Sequence, residues 1–375
     1  MLKVRRIVFL LFFLLLFFLS FLAPKIVGAE TLRVVLMEER GVVKLTSTKP
    51  FSVKADGNRF SEEAAYQVAE ISLRKATISV NGVDSKQKVL TFIPQRGGKL
   101  FINGSPYAGT ILIRAKNGTL SVVNEVDLEQ YLQGVVPSEM PSDWPMEALK
   151  TQAVISRSYA LYQKKNNQNS AYDLPASVLG QVYKGESVYH PRSAEAIEKT
   201  KGVIAAYQGE VALTYFHSTS AGPTEDANDR WGKDFAYLKG VSCPLDFGSP
   251  YFAWQTEIPL SNLENALANT GVGTIATLTP LSYSKAGRIL RVRILHANGE
   301  SVLKAEELRR LLGYKTLPST HFKIDSFGKI LKISGMGWGH GVGLCQFGAK
   351  VMAERGLKFD EIVQYYYPGV ALRRY

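Results

Sequence analysis

The sequence predicts an α+β fold of mostly antiparallel sheets with a few packed helices. Strand-like segments fill most of residues 31–125. Asn-Gly pairs at 103–104, 117–118 and 298–299 stand at the ends of strand-like runs, where this dipeptide is a strong hairpin signal. One long segment, residues 145–163, carries apolar side chains at helical spacing. Strands in hairpins combined with separate helices are typical of the α+β class.

The predicted strands before residue 125 follow from residue type and alternation. Leu32–Leu36 is rich in branched apolar residues, and Lys75–Val80 alternates polar and apolar side chains as a half-buried strand does. Leu100–Ile102 ends at the first Asn-Gly pair. Ile111–Ala115 and Leu120–Val123 flank the second pair and are predicted to form a hairpin.

A short helix and a stiff loop are predicted next. Asp127 is a favourable cap for a helix start, and Gly134 is expected to end that helix. Glu139 then stands between Pro137 and Pro141. Proline fixes its own φ and restricts the preceding residue, so Glu139 is expected on a stiff loop. Such a loop can hold a catalytic acid in place, or it can be an ordinary solvated turn.

A longer helix is predicted from Pro145 to Gln163, since proline is favourable at a first helical position. Its side chains at 3-4-3-4 spacing are small or apolar, which predicts one face packed against a sheet. The residues on that face are Met146, Leu149, Ala153, Ser156 and Ala160.

The C-terminal half mixes short strands and helices. The predicted elements are a helix near Ser193–Thr200, a buried strand over Val211–Phe216, a hairpin of Arg288–Leu295 and Glu300–Leu303, a helix over Lys304–Leu312 closed by Gly313, and a helix over Leu344–Arg355.

A glycine-rich run has glycine at every second position from Gly335 to Gly343. It matches neither the dinucleotide fingerprint nor the phosphate-loop pattern, which disfavours nucleotide binding. Alternating glycines allow a backbone to lie close to another surface or to a ligand. Trp338 and His340 would project from this backbone and suit stacking on a sugar ring, with a packed glycine-rich strand as the alternative.

The N-terminus resembles a secretory signal peptide. Lys3, Arg5 and Arg6 precede the apolar run Ile7–Ala23, and Val27-Gly28-Ala29 has the small residues of a cleavage site. We therefore expect residues 1–29 to be a signal peptide and the protein to be exported to the cell envelope. A membrane anchor formed by residues 7–23 is the alternative.

The charge is consistent with polyanionic surroundings. The formal net charge of +12 becomes +8 when the four cations of residues 1–29 are subtracted. Mild basicity outside the cytoplasm suits a cell wall or a phospholipid surface, and plain solubility explains it equally well. An exported chain without an arginine-rich stripe is not expected to bind nucleic acid.

Cys243 and Cys345 are the two cysteines of the chain. Export would permit a disulfide between them, and the sequence leaves open whether they meet. Their spacing is not that of a metal site, and the histidines form no HxH or HExxH arrangement. We expect no metal and no other cofactor.

Two alternative catalytic groupings are disfavoured. His217 and Ser218 are neighbours on a strand and point to opposite faces, and no nucleophile-elbow motif is present, so a serine triad is not expected. Glu225, Asp226 and Asp229 form a carboxylate group whose ordinary role is a turn or a helix cap.

Several long motifs follow one another within residues 101–375, namely Tyr131–Pro141, Trp144–Val154, Arg157–Ala160, Phe216–Gly222, Trp231-Gly232, Gly337–Ala349 and Tyr366–Gly369. In this order the motifs resemble the SpoIID/LytB family of bacterial cell-wall proteins. Residues 30–100 form a β-rich region that matches the family more loosely.

The resemblance implies binding to peptidoglycan glycan strands. In the sporulation branch it implies a lytic transglycosylase, which cleaves between N-acetylmuramic acid and N-acetylglucosamine without water and whose acid falls on Glu139. In the LytB branch it implies an amidase enhancer that cleaves no bond and acts with cell-wall amidases or other wall hydrolases. The matched motifs supply candidate substrate-binding residues, namely Gln152, Arg157, Tyr159, His217, Ser218, Thr219, His340 and Gln346. For Arg157 a structural carboxylate is favoured over a substrate carboxylate as the partner.

One carboxyl that first donates and then accepts a proton should have a raised pKa, and burial among Val135, Val136, Met140 and Trp144 would raise it. The chain departs from the family pattern at Ala221, where a glycine is common, and at Cys345, where a serine is usual. Some members bind zinc through cysteines near the block that begins at Phe216. This chain has none there before Cys243, so the resemblance gives no support for a metal.

Overall fold

The computed structural model describes residues 30–55, 58–59 and 66–375. The signal peptide or anchor expected in residues 1–29 lies outside the described residues. No helix in the described part of the chain is both long enough and apolar enough to cross a membrane. Mostly antiparallel sheets combined with helices confirm the predicted α+β class.

The first part of the chain forms one large sheet with the order β12-β1-β11-β10-β7-β2-β4-β5-β6, and β3 and β8 pair additionally with β2 while β9 pairs with β8. Strands from both sides of residue 100 share this sheet, so the expected β-rich region and the family-like region are structurally continuous. The strands are β1 (Thr31–Glu39), β2 (Val43–Ala55), β3 (Asn58–Arg59), β4 (Tyr66–Arg74), β5 (Thr77–Val80), β6 (Val83–Asp84), β7 (Val89–Pro94), β8 (Leu100–Ile102), β9 (Ser105–Tyr107), β10 (Thr110–Lys116), β11 (Thr119–Asp127) and β12 (Leu174–Pro175).

The later strands form four small sheets, ordered β14-β13-β23, β15-β22, β16-β21-β20 and β17-β18-β19. Only the pair β15-β22 among these is parallel in the described chain. The strands are β13 (Val203–Tyr207), β14 (Glu210–Val211), β15 (Phe216–His217), β16 (Ala253–Pro259), β17 (Ile275–Tyr283), β18 (Ile289–His296), β19 (Gly299–Lys304), β20 (Phe322–Ser326), β21 (Ile330–Met336), β22 (Leu344–Cys345) and β23 (Ala371–Arg374).

The helices pack around these sheets, and 3₁₀ turns cover Gly185–Val188 and Ala268–Thr270. The helices are α1 (Leu128–Glu139), α2 (Met146–Asn166), α3 (Pro191–Lys199), α4 (Ala227–Trp231), α5 (Leu260–Leu267), α6 (Ala305–Leu312), α7 (Gln346–Glu354) and α8 (Phe359–Tyr366).

Helix α2 lies between two hydrophobic cores. Ala153 and Ala160 belong to the core beneath the large sheet, whereas Val154 and Ile155 belong to the core shared with α7 and α8. Ten consecutive residues, 151–160, are buried. The prediction of one buried face was therefore too narrow, because elements pack on both sides of this helix.

A third core lies within residues 253–336. It joins α5 and α6 to the sheets β16-β21-β20 and β17-β18-β19. The chain enters this module after Phe252 and leaves it after Met336, and Gly337 donates its N–H to the carbonyl of Phe252 at 3.0 Å. Its two ends therefore meet beside the glycine-rich run.

The hairpins predicted at the Asn-Gly pairs are confirmed, as are the helices predicted near residues 193–200, 304–312 and 344–355. The strand predicted over Val211–Phe216 is wrong in its extent. Strand β14 ends at Val211 and β15 begins at Phe216, although Ala212, Leu213 and Thr214 between them are buried.

Candidate active-site cleft

Glu139 is the last residue of helix α1. Asp127 caps the start of this helix by accepting hydrogen bonds from the N–H groups of Glu129 and Gln130. The prediction that Gly134 ends the helix and that Glu139 lies on a loop is wrong. Pro137 lies in the last turn, where its missing N–H interrupts little of the remaining helix.

Helix α1 continues through Gly134. Glycine is required at this position by the packing of its neighbours and not by its backbone conformation. A Cβ at this position would lie 2.5 Å from the carbonyl oxygen of Gly185 and 2.7 Å from the ring of Tyr183. The carbonyl of Gly134 also accepts a hydrogen bond from the hydroxyl of Ser138 at 2.7 Å. Helix α1 is thereby fixed against the segment around residue 183, and so is the carboxylate at its end.

The carboxyl of Glu139 belongs to a half-buried side chain. Its Oε1 accepts a hydrogen bond of 2.6 Å from the backbone N–H of Val182. Burial raises the pKa of Glu139 to about 7, although the Val182 N–H and the charge of Lys184 both act to lower it. The direction is the one expected for a proton donor near neutral pH.

A chain of side-chain amides supports the peptide at Glu139. Nε2 of Gln346 donates to the carbonyl oxygen of Glu139 at 3.0 Å and to Oε1 of Gln152 at 3.1 Å. Nε2 of Gln152 in turn donates to the hydroxyl of Ser156 at 3.0 Å. Gln152 is fully buried, so its role here is to position Gln346 rather than to contact a ligand in the cleft.

A cleft of about 510 Å³ opens beside Glu139. Of the residues expected to bind substrate, five line it: Tyr159, His217, Ser218, His340 and Gln346. Aromatic rings form much of the remaining wall, with residues from several distant parts of the chain. The further lining residues are Gln163, Val178, Leu179, Gly180, Val182, Tyr215, Phe216, Trp231, Glu306, Arg309, Tyr314, Trp338 and Gly339.

His217 is a neutral, fully bonded histidine. Burial lowers the pKa of His217 to about 3. In the neutral ring, Nδ1 donates to the carbonyl oxygen of Val342 at 3.2 Å, and Nε2 therefore accepts from the hydroxyl of Ser220 at 2.7 Å. Both nitrogens are occupied, and Ser220 is itself fully buried. This arrangement orders the loop and is unsuited to activating a serine nucleophile.

His340 is held in the opposite tautomer. Its Nδ1 accepts a hydrogen bond of 3.0 Å from the N–H of Val342, and burial together with neighbouring cations holds the pKa of His340 well below its usual range. The proton of the neutral ring is therefore on Nε2. The ring lies 5.2 Å from Trp231 and 5.7 Å from Tyr215 between centroids.

The glycine-rich run passes close to neighbouring segments, as its spacing indicates. At Gly339, with φ of +111°, a Cβ would lie 2.7 Å from Cβ of His217. At Gly341, with φ of +87°, it would lie 2.5 Å from Nε of Arg288. Positive φ and close approach together require glycine at both positions. The run thus brings Trp338 into the cleft wall. The centroid of the Trp338 ring lies 4.6 Å from that of Tyr251.

The cleft lining also contains Glu306, Arg309 and Tyr314, which sequence reasoning did not identify. Arg309 donates to the carbonyl oxygens of Leu317 and Pro318 and lies 4.6 Å from the centre of the Tyr314 ring. Glu306 pairs with Arg230. These residues stand about 170 positions from Glu139 and form no short motif, so the sequence offered no signal for them.

Two further candidates lie away from the cleft lining. Arg157 is fully buried and bonds both carboxylate oxygens of Glu129 at 2.8 and 2.7 Å, which is the structural carboxylate favoured from the sequence. Thr219 is also buried, and its hydroxyl contacts that of Ser249 at 2.7 Å.

The acidic group after Gly222 has structural partners. Asp226 caps helix α4 through the N–H of Asn228. Glu225 is fully buried and accepts a hydrogen bond of 2.7 Å from Ser284, with Nε of Arg288 at 3.9 Å.

One group of side chains in the described chain is close enough to share a cation. Ligand atoms of Cys243, Asp246 and Cys345 lie within 4.8 Å of one another, and all three residues are buried. These residues are outside the set that lines the cleft.

Comparison with known proteins places these features in a family. Residues 116–207 match the family model described as stage II sporulation protein (SpoIID), and residues 244–343 match a domain of unknown function (DUF8618). The chain is 32% identical to an uncharacterized protein of Brachyspira hyodysenteriae, over 89% of this chain and 92% of that protein.

Two named relatives come from Bacillus subtilis. Stage II sporulation protein D is 30% identical, over 77% of this chain and 86% of its own length. The amidase enhancer is 28% identical, over 65% of this chain and 40% of its own length. Because the match to stage II sporulation protein D covers most of this chain and most of that protein, this protein belongs to the SpoIID family.

Proposed function

We propose that this protein is an exported lytic transglycosylase that cleaves the bond between N-acetylmuramic acid and N-acetylglucosamine in peptidoglycan glycan strands. The observation that carries the proposal is the Glu139 carboxyl, which borders an aromatic cleft and has a pKa of about 7. A carboxyl with this pKa is partly protonated at neutral pH and is suited to act both as an acid and as a base.

In the first step protonated Glu139 gives its proton to the glycosidic oxygen, and the bond from C1 of the muramic residue to that oxygen breaks. The leaving residue departs with a free 4-hydroxyl group. Ionised Glu139 then removes the proton of the muramic 6-hydroxyl while that oxygen bonds to C1. The product is a 1,6-anhydro end, the proton is back on Glu139, and no water is consumed.

Neutral polar groups around the cleft would stabilise the charge that develops on the sugar ring. Glu139 itself, once ionised, lies nearest the reacting centre, and the hydroxyl oxygens of Ser218 and Tyr159 in the lining can turn lone pairs towards the positive charge. The Nε2–H of His340 is a donor and is suited to a sugar oxygen instead. Tyr159 stays neutral, because burial raises its pKa to about 12. The rings of Trp338, Trp231 and Tyr215 offer apolar faces for the sugar rings of a glycan strand.

The family relationship and the N-terminal sequence support a role at the cell wall. Relatives of this chain carry the names stage II sporulation protein D and amidase enhancer. The signal-like residues 1–29 would bring the folded part to the envelope, where glycan strands are found. A net charge of +8 on the remaining chain suits that polyanionic setting.

A non-catalytic wall-binding enhancer of amidases is the second candidate. It is favoured by the match to a protein named amidase enhancer, which covers 65% of this chain. In that role the same cleft would bind glycan without cleaving it, and the partner would be a cell-wall amidase or another wall hydrolase.

The decisive experiment compares the wild type with Glu139→Gln on peptidoglycan glycan stripped of stem peptides. We expect the wild type to release fragments with 1,6-anhydro-muramic ends and Glu139→Gln to lower that rate by about 10²- to 10⁴-fold, the usual contribution of a general acid. Mass spectrometry of the products and a glycan-binding assay are the measurements. Binding by Glu139→Gln should remain close to that of the wild type.

Glu195→Gln is the matched control, since Glu195 is half exposed at its side chain and pairs with Lys199 on the surface of α3. It should cleave like the wild type. If the folded wild type binds glycan and leaves no anhydro ends, the enhancer role is the correct one.

A further inference from the structure

The two cysteines of the chain lie side by side although they are 345 − 243 = 102 positions apart. Cys243 is 2% exposed and Cys345 is fully buried. Their sulfurs lie within 4.8 Å of each other, beside the carboxylate of Asp246.

The surroundings hold both sulfurs firmly. Cys345 precedes helix α7 and caps it, with its Sγ accepting from the N–H of Gly348 at 3.4 Å. Sγ of Cys243 lies 3.3 Å from the hydroxyl of Tyr366. A Cβ at Gly348 would lie 2.8 Å from Sγ of Cys243 and 2.1 Å from that hydroxyl, so the helix backbone packs directly on the cysteine pair.

We propose that Cys243 and Cys345 are joined by a disulfide in the exported protein. The bond would tie the segment between α4 and β16 to the N-terminus of α7. This inference rests on the export that the proposed function assumes, because disulfides persist in oxidising compartments. The bond would bring the two sulfurs from within 4.8 Å to about 2 Å and would remove the hydrogen bond from Cys345 to Asp246.

The bond would form by exchange with an external disulfide. The thiolate of one cysteine attacks that disulfide and releases one external thiolate. The thiolate of the second cysteine then attacks the mixed disulfide and releases the other. Two protons leave the cysteines, and two electrons pass to the external disulfide. Because both sulfurs are buried, the exchange takes place before the chain closes around them.

A cation is the competing occupant of this cluster. Asp246 Oδ1 has no hydrogen-bond partner among the described residues, which would suit a metal. However, Oδ2 already accepts from the N–H groups of Ser220 and Ala221 and from Cys345. Structural zinc takes four ligands, and the cluster provides three side chains. The contact between the two cysteines therefore favours a disulfide.

The disulfide would stabilise two segments that support the cleft. Gln346, which supports the peptide of Glu139, directly follows Cys345. The loop that carries Ser220 is held by Asp246, three residues after Cys243. One covalent bond would thus fasten both segments to each other, at residues that do not line the cleft.

The test counts thiols in the full chain exported into an oxidising compartment. The purified protein is quenched in acid and then dissolved in denaturant near neutral pH with a thiol-alkylating reagent, without reductant, and its intact mass is measured. We expect no alkyl adduct and a mass about 2 Da below that of the dithiol form, and two adducts after reduction. Two adducts without reductant would overturn the proposal, as would zinc that copurifies with the folded protein at one ion per chain.

Thermal unfolding gives an independent readout. Reductant should lower the Tm of the wild type by about 5 °C or more, since the bond closes a long loop in the unfolded chain. Cys345→Ser is the matched variant, because a serine hydroxyl can still cap α7. The Tm of this variant should not change with reductant. If the wild type kept the same Tm after its disulfide had been reduced, the stabilising role of the disulfide would be contradicted. Neither readout uses glycan cleavage, so failure of the Glu139 experiment leaves both intact.

Discussion

The pKa of Glu139 reflects a competition in which desolvation wins. The N–H of Val182 and the charge of Lys184 favour the ionised carboxylate, yet burial in the wall of the cleft raises the pKa to about 7. One hydrogen bond of 2.6 Å from the N–H of Val182 satisfies only part of the acceptor capacity of Oε1. A carboxylate that accepts several N–H groups would instead have a lowered pKa. The Glu139 carboxyl therefore keeps its proton up to about neutral pH, because its buried surroundings offer few hydrogen-bond donors to the carboxylate.

This shift predicts a pH-dependent stability difference between the wild type and Glu139→Gln. The folded protein keeps the Glu139 proton up to about pH 7, whereas the unfolded chain loses it near 4.5. Between these values the folded state binds more protons, so wild-type stability falls as pH rises. The amide does not titrate, and Glu139→Gln should gain about 2–3 kcal/mol relative to the wild type between about pH 4.5 and pH 7.

Urea unfolding at a series of pH values measures this difference. The exposed control Glu195→Gln should show no such rise across the same window, since the surface ion pair with Lys199 lowers the pKa of Glu195 instead. A difference between Glu139→Gln and wild type that is constant with pH would contradict a raised pKa.

Among the elements, helix α1 matters most because its end carries Glu139. Asp127 as its cap is visible in the sequence, but its last residue is not. Gly134 and Pro137 together suggest an early stop, but the helix runs through both residues, and the α-carbon of Gly134 faces Gly185 and Tyr183. Whether a glycine ends a helix or makes room for a neighbour depends on a segment about 50 residues away.

Gly134→Ala tests this packing. Alanine is the better helix former by about 1 kcal/mol, so propensity alone predicts stabilisation. The contact of 2.5 Å with the carbonyl of Gly185 predicts the opposite, and overpacking of this kind costs about 1–3 kcal/mol. We expect a lower free energy of unfolding in denaturant and a reduced rate of glycan cleavage.

Gln130→Ala, at an exposed position of the same helix, is the control and should be neutral or slightly stabilising. If Gly134→Ala stabilised the protein to the same extent, the glycine would be a residue of no packing importance, and the placement of α1 would need another cause.

In the molecule as a whole, the cleft is formed by two parts of the chain. Glu139 comes from the part that matches the SpoIID model, whereas Tyr314 comes from the part that matches a domain of unknown function. The module of residues 253–336 has its own core, and α6 with the turn after it presents Glu306, Arg309 and Tyr314 to the cleft. This domain therefore contributes directly to the candidate site.

Tyr314→Ala tests that contribution. Loss of an aromatic face should weaken the binding of peptide-stripped glycan about three- to tenfold, the effect of about 0.5–1.5 kcal/mol. Calorimetric titration in the Glu139→Gln background measures binding without cleavage. Lys315→Ala, at the exposed neighbouring position, is the control and should bind like its parent. Equal affinity of the Tyr314 variant and this control would show that the module does not contact glycan.

The sequence by itself determined the hairpins at the Asn-Gly pairs and the long helix after Pro145. It also determined the family of the protein and pointed to Glu139 as the candidate acid. These features depend on local backbone preference and on motifs that are continuous in the chain. Only the tertiary structure decided that Glu139 ends a helix, that Arg157 pairs with Glu129, that the two cysteines meet and that Tyr314 faces the cleft. Each of these depends on burial and on contacts between distant segments, which local patterns do not encode.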